Sequence, residues 1–160
     1  MYFHGKKMKK FDTIIVPGFY STFLSTIRCL RHLKKENVRI WSVGEQDQKK
    51  NPCFFSNIPD RKITFTKEEG LVNCLLNIKN QFTDLPKILL TSDAHVVEIS
   101  KRRSELEPYY RFILPLEDVV EVLMEKSSFY ELSIKEGWDV PKTFTVNNLD
   151  IFRRWMEREY

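Results

Sequence analysis

The first apolar run of the chain reads Phe11-Asp12-Thr13-Ile14-Ile15-Val16 and closes with Pro17-Gly18. A short apolar run that ends in turn-forming residues is typical of a strand buried on both faces. A helical stripe follows, in which Phe23, Ile27 and Leu30 recur at one-turn spacing. Residues 38–43 then alternate between apolar and polar, and Gly44 closes them as a second strand. This order predicts a strand–helix–strand unit with parallel strands.

The same alternation continues along the chain. Further strands are predicted at residues 63–65, 87–91 and 111–114, and further helices at about 67–82, 93–104 and 116–123. We therefore predict a three-layer, Rossmann-like α/β domain with a mostly parallel sheet over residues 11–124. A flexible N-terminal segment, residues 1–10, precedes it.

Residues 125–160 depart from this alternation of strands and helices. A helix over 127–136 is expected to stop at Gly137, a strand to follow at 142–146, and a last helix to run over 149–160. That helix carries four large apolar side chains on one side: Leu149, Phe152, Trp155 and Met156. Burying each of them is worth about 1.5–3 kcal/mol. We expect a truncated second domain. Alternatively, the stripe packs back onto the first domain or forms a homodimer through this C-terminal helix.

Composition is that of an ordinary globular protein, with 42% hydrophobic and 30% charged residues. No segment approaches the roughly 20 apolar residues of a bilayer span, and no apolar core of a signal peptide follows the N-terminal lysines. Cys29, Cys53 and Cys74 are widely spaced and form no C-x-x-C pair. The chain is therefore expected in the cytoplasm, without a disulfide framework, a metal site or a membrane partner.

The net charge of +4 arises from several basic clusters, such as Lys101-Arg102-Arg103 and Arg153-Arg154. These clusters fall in different elements and have acidic neighbours, whereas a nucleic-acid binder concentrates its cations on one face. We expect a solvated surface and no nucleic-acid partner, with a basic polyanion binder as the weakest alternative.

A series of short motifs that is more specific for a protein family begins at residue 92. In order, the chain carries Ser92-Asp93-Ala94-His95, then Tyr110-Arg111-Phe112-Ile113-Leu114-Pro115, then Met124-Glu125-Lys126-Ser127-Ser128, then Val140-Pro141-Lys142-Thr143-Phe144. Upstream lie a glycine after the first strand, Arg28 and Leu30 in the helix, and the segment Asn51–Ser56. This order resembles the N-terminal part of ATP-grasp carboxylate–amine ligases, most closely those akin to D-aspartate ligase.

The resemblance implies a Rossmann-like pre-ATP-grasp domain that leads into an ATP-grasp fold. Such ligases use ATP and magnesium to phosphorylate a small carboxylate, and an amine then attacks the acyl phosphate. Lys126 matches the first lysine of the ATP site, although Glu125 stands where the family has an aspartate.

By the same resemblance, the phosphate loop, the second ATP lysine and the magnesium ligands would follow residue 160. We therefore expect no catalysis and no tight ATP or magnesium binding by this chain alone. The alternative function is a stand-alone, non-catalytic α/β binding or interaction module.

Candidate substrate-binding residues follow two strands of the predicted sheet: Gly18, Ser21 and Thr22 after the first, and Ser92 and Asp93 after the fourth. Ligands of open α/β sheets bind at the carboxyl ends of strands, where helix N-termini offer unpaired N–H groups. The structural alternative is that these hydroxyl and carboxylate groups merely cap the helices that follow.

Three other polar residues are weaker candidates. We expect His95 to be a surface or capping residue rather than a base. Glu45 and Asp47 follow the second strand, where they could bind a ribose or an amino group, but acidic residues in loops are usually solvated.

Overall fold

The computed structural model describes residues 12–141, 143, 146 and 148–159. The chain divides into two compact units, Met1–Glu117 and Asp118–Tyr160. The predicted boundary between residues 124 and 125 stays a prediction. The segment 1–10 lies outside the described residues, and so does most of the strand predicted at 142–146.

The first unit alternates strands with helices. Its elements are β1 (Asp12–Pro17), α1 (Ser21–Leu30), β2 (Val38–Glu45), β3 (Arg61–Phe65), α2 (Gly70–Ile78), β4 (Lys87–Ile88), α3 (Asp93–Lys101) and α4 (Arg103–Leu106). Short 3-10 helices cover Arg31–Glu36, Gln46–Lys50, Pro52–Phe55 and Lys79–Gln81. Three α-helices follow: α5 (Glu117–Met124), α6 (Lys126–Lys135) and α7 (Leu149–Glu159).

The four strands form one parallel sheet in the order β3-β2-β1-β4. The chain first builds outward from β1 to β3 and then returns to place β4 on the other side of β1. The predicted mixed α/β, Rossmann-like architecture with a parallel sheet is thus confirmed.

Each face of the sheet has its own core, because successive side chains of a strand point to opposite faces. Ile14 and Val16 of β1 pack with Phe23 and Ile27 of α1. Ile15 packs on the opposite face. It shares a cluster with the buried side chains of α2, α3 and α4, among them Leu71, Leu75, Ile99 and Leu106. The sheet therefore lies between two helical layers.

The strand predicted at residues 111–114 is wrong. Only Arg111 forms an isolated parallel bridge, with Lys87, while Phe112 and Leu114 pack against the core without pairing. The guanidinium of Arg103 donates hydrogen bonds of 2.6 Å to the carbonyl oxygens of both Leu114 and Pro115. The carbonyl oxygen of Leu114, at the end of the predicted strand, is thus bound by a side chain and not by a neighbouring strand.

Several predicted boundaries also shift. The strand predicted at 87–91 ends at Ile88, although the Leu89 N–H still donates to the carbonyl oxygen of Ile15. The second strand continues to Glu45 and includes Gly44. The helix predicted at 67–82 begins at Gly70, whose φ of +71° is not helical. The helix predicted at 93–104 breaks at Arg102, where the backbone leaves the helical region.

In the second unit, the helix predicted at 127–136 is confirmed as α6, and Gly137 ends it as expected. Gly137 has a φ of +70°, its N–H donates to the carbonyl oxygen of Ile134, and the N–H of Trp138 donates to that of Ser133. This pair of bonds is the Schellman motif, which favours glycine at the left-handed position. The rings of Phe152 and Trp155 stack in α7 with centroids 6.4 Å apart.

Two further observations concern the whole described chain. None of its helices is long and apolar enough to cross a membrane. Cys29, Cys53 and Cys74 are free thiols, and burial, reinforced by the charge of Glu69, raises the pKa of Cys74 to about 12. Cys74 is therefore a core residue with little thiolate character.

Candidate functional site

The strand order reverses between β1 and β4, and we call the region at the carboxyl ends of these two strands the crevice. Connections leave these two neighbouring strands toward opposite faces of the sheet, so their following loops separate at the carboxyl edge. Such a reversal of strand order is where open α/β sheets hold ligands. The Thr91 hydroxyl donates a 3.0 Å hydrogen bond to the carbonyl oxygen of Pro17, which ties the ends of the two strands together.

Gly18 lies on the β1 side of this crevice. Its φ of +94° is strained for any residue with a β-carbon, and its N–H donates a 2.7 Å hydrogen bond to the carbonyl oxygen of Val43. A β-carbon built on Gly18 would lie 3.5 Å from Cε1 of His95 and 3.6 Å from Cδ2 of Tyr20. The structure therefore brings together Gly18 and two side chains from either side of the crevice.

The first turn of α1 has no side-chain cap. The predicted capping role of Ser21 or Thr22 is wrong, because Tyr20 occupies the N-cap position and both hydroxyl residues already lie inside the helix. The first intrahelical bond is donated by Leu24 to the carbonyl oxygen of Tyr20. The N–H groups of residues 21–23 are thus left for water or a ligand.

The first turn of α3 likewise has no side-chain cap. Ser92 occupies the N-cap position as predicted, but its side chain makes no capping hydrogen bond. Val96 donates the first intrahelical bond to the Ser92 carbonyl oxygen. Asp93 is exposed in the first turn. Two uncapped helix N-termini, each carrying partial positive charge, thus begin at the ends of adjacent strands.

His95 contradicts the expectation of a surface or capping residue. Its side chain is only 7% exposed, and Nδ1 has no hydrogen-bond partner among the described residues. Burial lowers the pKa of His95, and the charge of Glu98 opposes this shift in part. The imidazole is therefore neutral at pH 7.

Tyr20, which lies beside Gly18, and Gln48 form a contact that was not predicted from the sequence. Gln48, in the 3-10 helix after β2, is 6% exposed and donates a 2.9 Å hydrogen bond from Nε2 to the Tyr20 hydroxyl. Its Oε1 has no partner among the described residues. Glu45 and Asp47 flank this position, Glu45 half-buried at the end of β2 and Asp47 exposed. No local pattern links residues 20 and 48.

Lys126 lies in the second unit, at the first position of α6, and is exposed. The carboxylate of Glu125 accepts hydrogen bonds from the hydroxyls of Ser128 and Ser127, at 2.7 and 2.9 Å, and these bonds lower its pKa. Among the residues that the structure describes, no cluster of three His, Cys, Asp or Glu side chains could hold a metal ion.

The titration of His95 gives a direct prediction. The unfolded chain takes up this proton near pH 6.5, whereas the folded chain takes it up only at lower pH. The stability that His95 contributes is therefore present above pH 6.5 and lost as the pH falls toward the lowered folded value. We expect the His95 ring proton to titrate below 6.5 by NMR, with His4→Gln and His32→Gln variants assigning the signals. A His95 pKa at or above 6.5 would contradict this.

The fold defines a Rossmann-like α/β domain, with a candidate ligand site at its strand-order reversal. A solved structure shares the fold, the biotin carboxylase domain of a single-chain bacterial carboxylase, with a TM-score of 0.59 and 12% sequence identity. The match covers 92% of this chain and 34% of that one, so the chain spans about a third of its neighbour. No family model and no curated protein matches the sequence.

Proposed function

We propose that this chain is the substrate-side domain of an ATP-dependent carboxylate–amine ligase, and that its crevice between β1 and β4 binds the carboxylate of the substrate. The observation that carries the proposal is the meeting of two uncapped helix N-termini with a buried, unpartnered His95 nitrogen. Support for the ligase class comes from the order of motifs between residues 92 and 144. Support also comes from the fold shared with a biotin carboxylase domain, since biotin carboxylases are ATP-grasp enzymes.

The crevice suits a small carboxylate for electrostatic reasons. Backbone N–H groups at the start of α1 and α3 offer several donors and the positive ends of two helix dipoles. The hydroxyls of Ser21, Thr22 and Ser92 add donors from side chains. Because these groups are held by the sheet, they need little reorganisation when the anion arrives.

The finer proposal is an amino-acid substrate, as in enzymes akin to D-aspartate ligase. Asp93 is exposed in the first turn of α3, beside the donors that would hold the carboxylate. Its own negative charge suits an ammonium group, so a zwitterion would satisfy both signs of charge in the crevice. Neutral His95 would accept or donate one hydrogen bond without adding charge.

For the nucleotide part of the chemistry, the resemblance points to one residue of this chain, Lys126. When bound, ATP with magnesium would activate the carboxylate as an acyl phosphate. Lys126 fits a phosphate contact, because it is an exposed ammonium at a helix N-terminus. The described residues offer no metal cluster. We therefore assign carboxylate binding and positioning to this chain and no phosphoryl-transfer step. The expected cytoplasmic location stays a prediction.

A Ser92→Asp variant tests the carboxylate site. Aspartate is as good an N-cap as serine and complements the helix dipole, so the variant should fold at least as stably. Its carboxylate would occupy the free N–H groups of α3 and repel an anionic ligand. We expect calorimetric affinity for glycine or aspartate to fall at least about tenfold.

Ser25→Asp is the matched control, because Ser25 is an exposed residue in the middle of α1. It introduces the same charge away from the crevice and should leave the affinity unchanged. If both variants bind the amino acid as well as the parent chain does, the crevice is not the carboxylate site.

A further inference from the structure

A cavity lies on the face of the first unit that α1 covers. It has a volume of about 510 Å³, which falls within the size range of small-molecule sites. Its walls come from the C-terminal half of α1 with the turn after it, and from the connection between β2 and β3. Arg28 lies seven residues beyond Ser21, or about 10 Å along the helix axis. The cavity is thus separate from the crevice.

The charge of this cavity is uniformly positive. Arg28 and Arg31 line it, and they share one side of the chain because they are three residues apart. Neither wall contains an acidic residue, since residues 21–35 and 51–59 have no Asp or Glu. The nearby Lys34 forms an ion pair of 2.7 Å with Asp60, and neither residue lines the cavity.

The opposite wall offers a planar apolar surface beside polar groups. Phe55 is 73% exposed, although large aromatic side chains are usually buried, and Ser56 and Asn57 follow it along the lining. Its ring is held from behind by Phe54, with centroids 5.8 Å apart and an edge-to-face geometry. The Asn51 side chain accepts a 3.0 Å hydrogen bond from the N–H of Cys53, which fixes the start of this wall.

We propose that this cavity binds a small ligand in which a phosphate is joined to a planar ring, a nucleoside monophosphate being the simplest example. The forks of two arginines match the oxygens of a phosphate, and the exposed face of Phe55 matches a stacked base. Ser56 and Asn57 supply hydrogen bonds between the two. The proposal does not depend on the carboxylate site.

The test is calorimetry of the whole chain with AMP, adenosine and inorganic phosphate at low salt. AMP should bind at least about tenfold more tightly than either part alone, because it alone engages both walls. A double Arg28→Gln/Arg31→Gln variant should weaken AMP binding at least about tenfold, since each arginine supplies charge-assisted hydrogen bonds. Phe55→Ser should reduce the preference of the site for AMP over phosphate.

Arg111→Gln is the control, because it removes the same charge beside β4, at the opposite edge of the sheet from the β2–β3 connection that lines the cavity. It should bind AMP like the parent chain. The proposal is overturned if AMP does not bind, if the double variant binds it unchanged, or if phosphate alone binds as tightly as AMP. Thermal unfolding of every variant separates loss of binding from loss of fold.

Discussion

Replacing Phe19 with alanine is expected to lower the free energy of unfolding by about 3–5 kcal/mol. Phe19 follows Gly18 directly, and its ring is fully buried. It meets Phe23 and Phe54 edge-to-face, with centroids 5.4 and 4.9 Å apart. Truncation would open a cavity that these two rings cannot fill without leaving their own positions, so the cost should lie in the upper range for core substitutions.

Chemical denaturation followed by circular dichroism measures this effect. Phe55→Ala serves as the control, because Phe55 is 73% exposed and its loss should change stability by no more than about 0.5 kcal/mol. Equal effects of the two substitutions would show that Phe19 is not part of the core beneath the crevice.

A Gly44→Ala substitution is expected to destabilise the domain by about 1–3 kcal/mol. A β-carbon built on Gly44 would lie 2.5 Å from Cδ2 of Phe19 and 2.8 Å from Oε1 of Gln48. Both distances are far below van der Waals contact, and the Phe19 ring cannot retreat because other rings surround it. The same methyl group would displace Gln48 from Tyr20, so it should disturb the crevice as well as the core.

A double-mutant cycle distinguishes this clash from a general effect on β2. In a Phe19→Ala background, the methyl group of Gly44→Ala would meet empty space on one side. The destabilisation of the double variant should therefore be smaller than the sum of the two single destabilisations by at least about 0.5 kcal/mol. Simple additivity in denaturation experiments would mean that the close approach of Gly44 and Phe19 does not limit the packing.

Elements with strong local patterns could be predicted from the sequence. β1 could be predicted from its apolar run, which closes with Pro17-Gly18. The end of α6 at Gly137 could be predicted because glycine is favoured wherever the backbone takes the left-handed conformation. The crevice could also be placed, since strand–helix alternation sends residues 18 and 92 to the same edge of the sheet.

Features that depend on distant partners could not be predicted. Gly44 looked like the end of a strand, yet it is a glycine because Phe19, 25 positions earlier in the chain, leaves no room for a side chain. The apolar segment 111–114 pairs only through the bridge at Arg111, and at its end Arg103 binds the carbonyl oxygens of Leu114 and Pro115. Tyr20 and Gln48, and the burial of His95, likewise arise only when separate elements meet.

The most direct test of the carboxylate site is a two-dimensional ¹⁵N–¹H NMR titration of the chain with glycine, compared with glycinamide. Glycinamide keeps the amine but lacks the carboxylate. If the crevice holds a carboxylate, glycine should shift the amide signals of residues 21–23 and 93–95 together, with a common affinity, and glycinamide should leave them in place. Absence of any shift with glycine and with aspartate, or shifts confined to other parts of the chain, would contradict the proposed function.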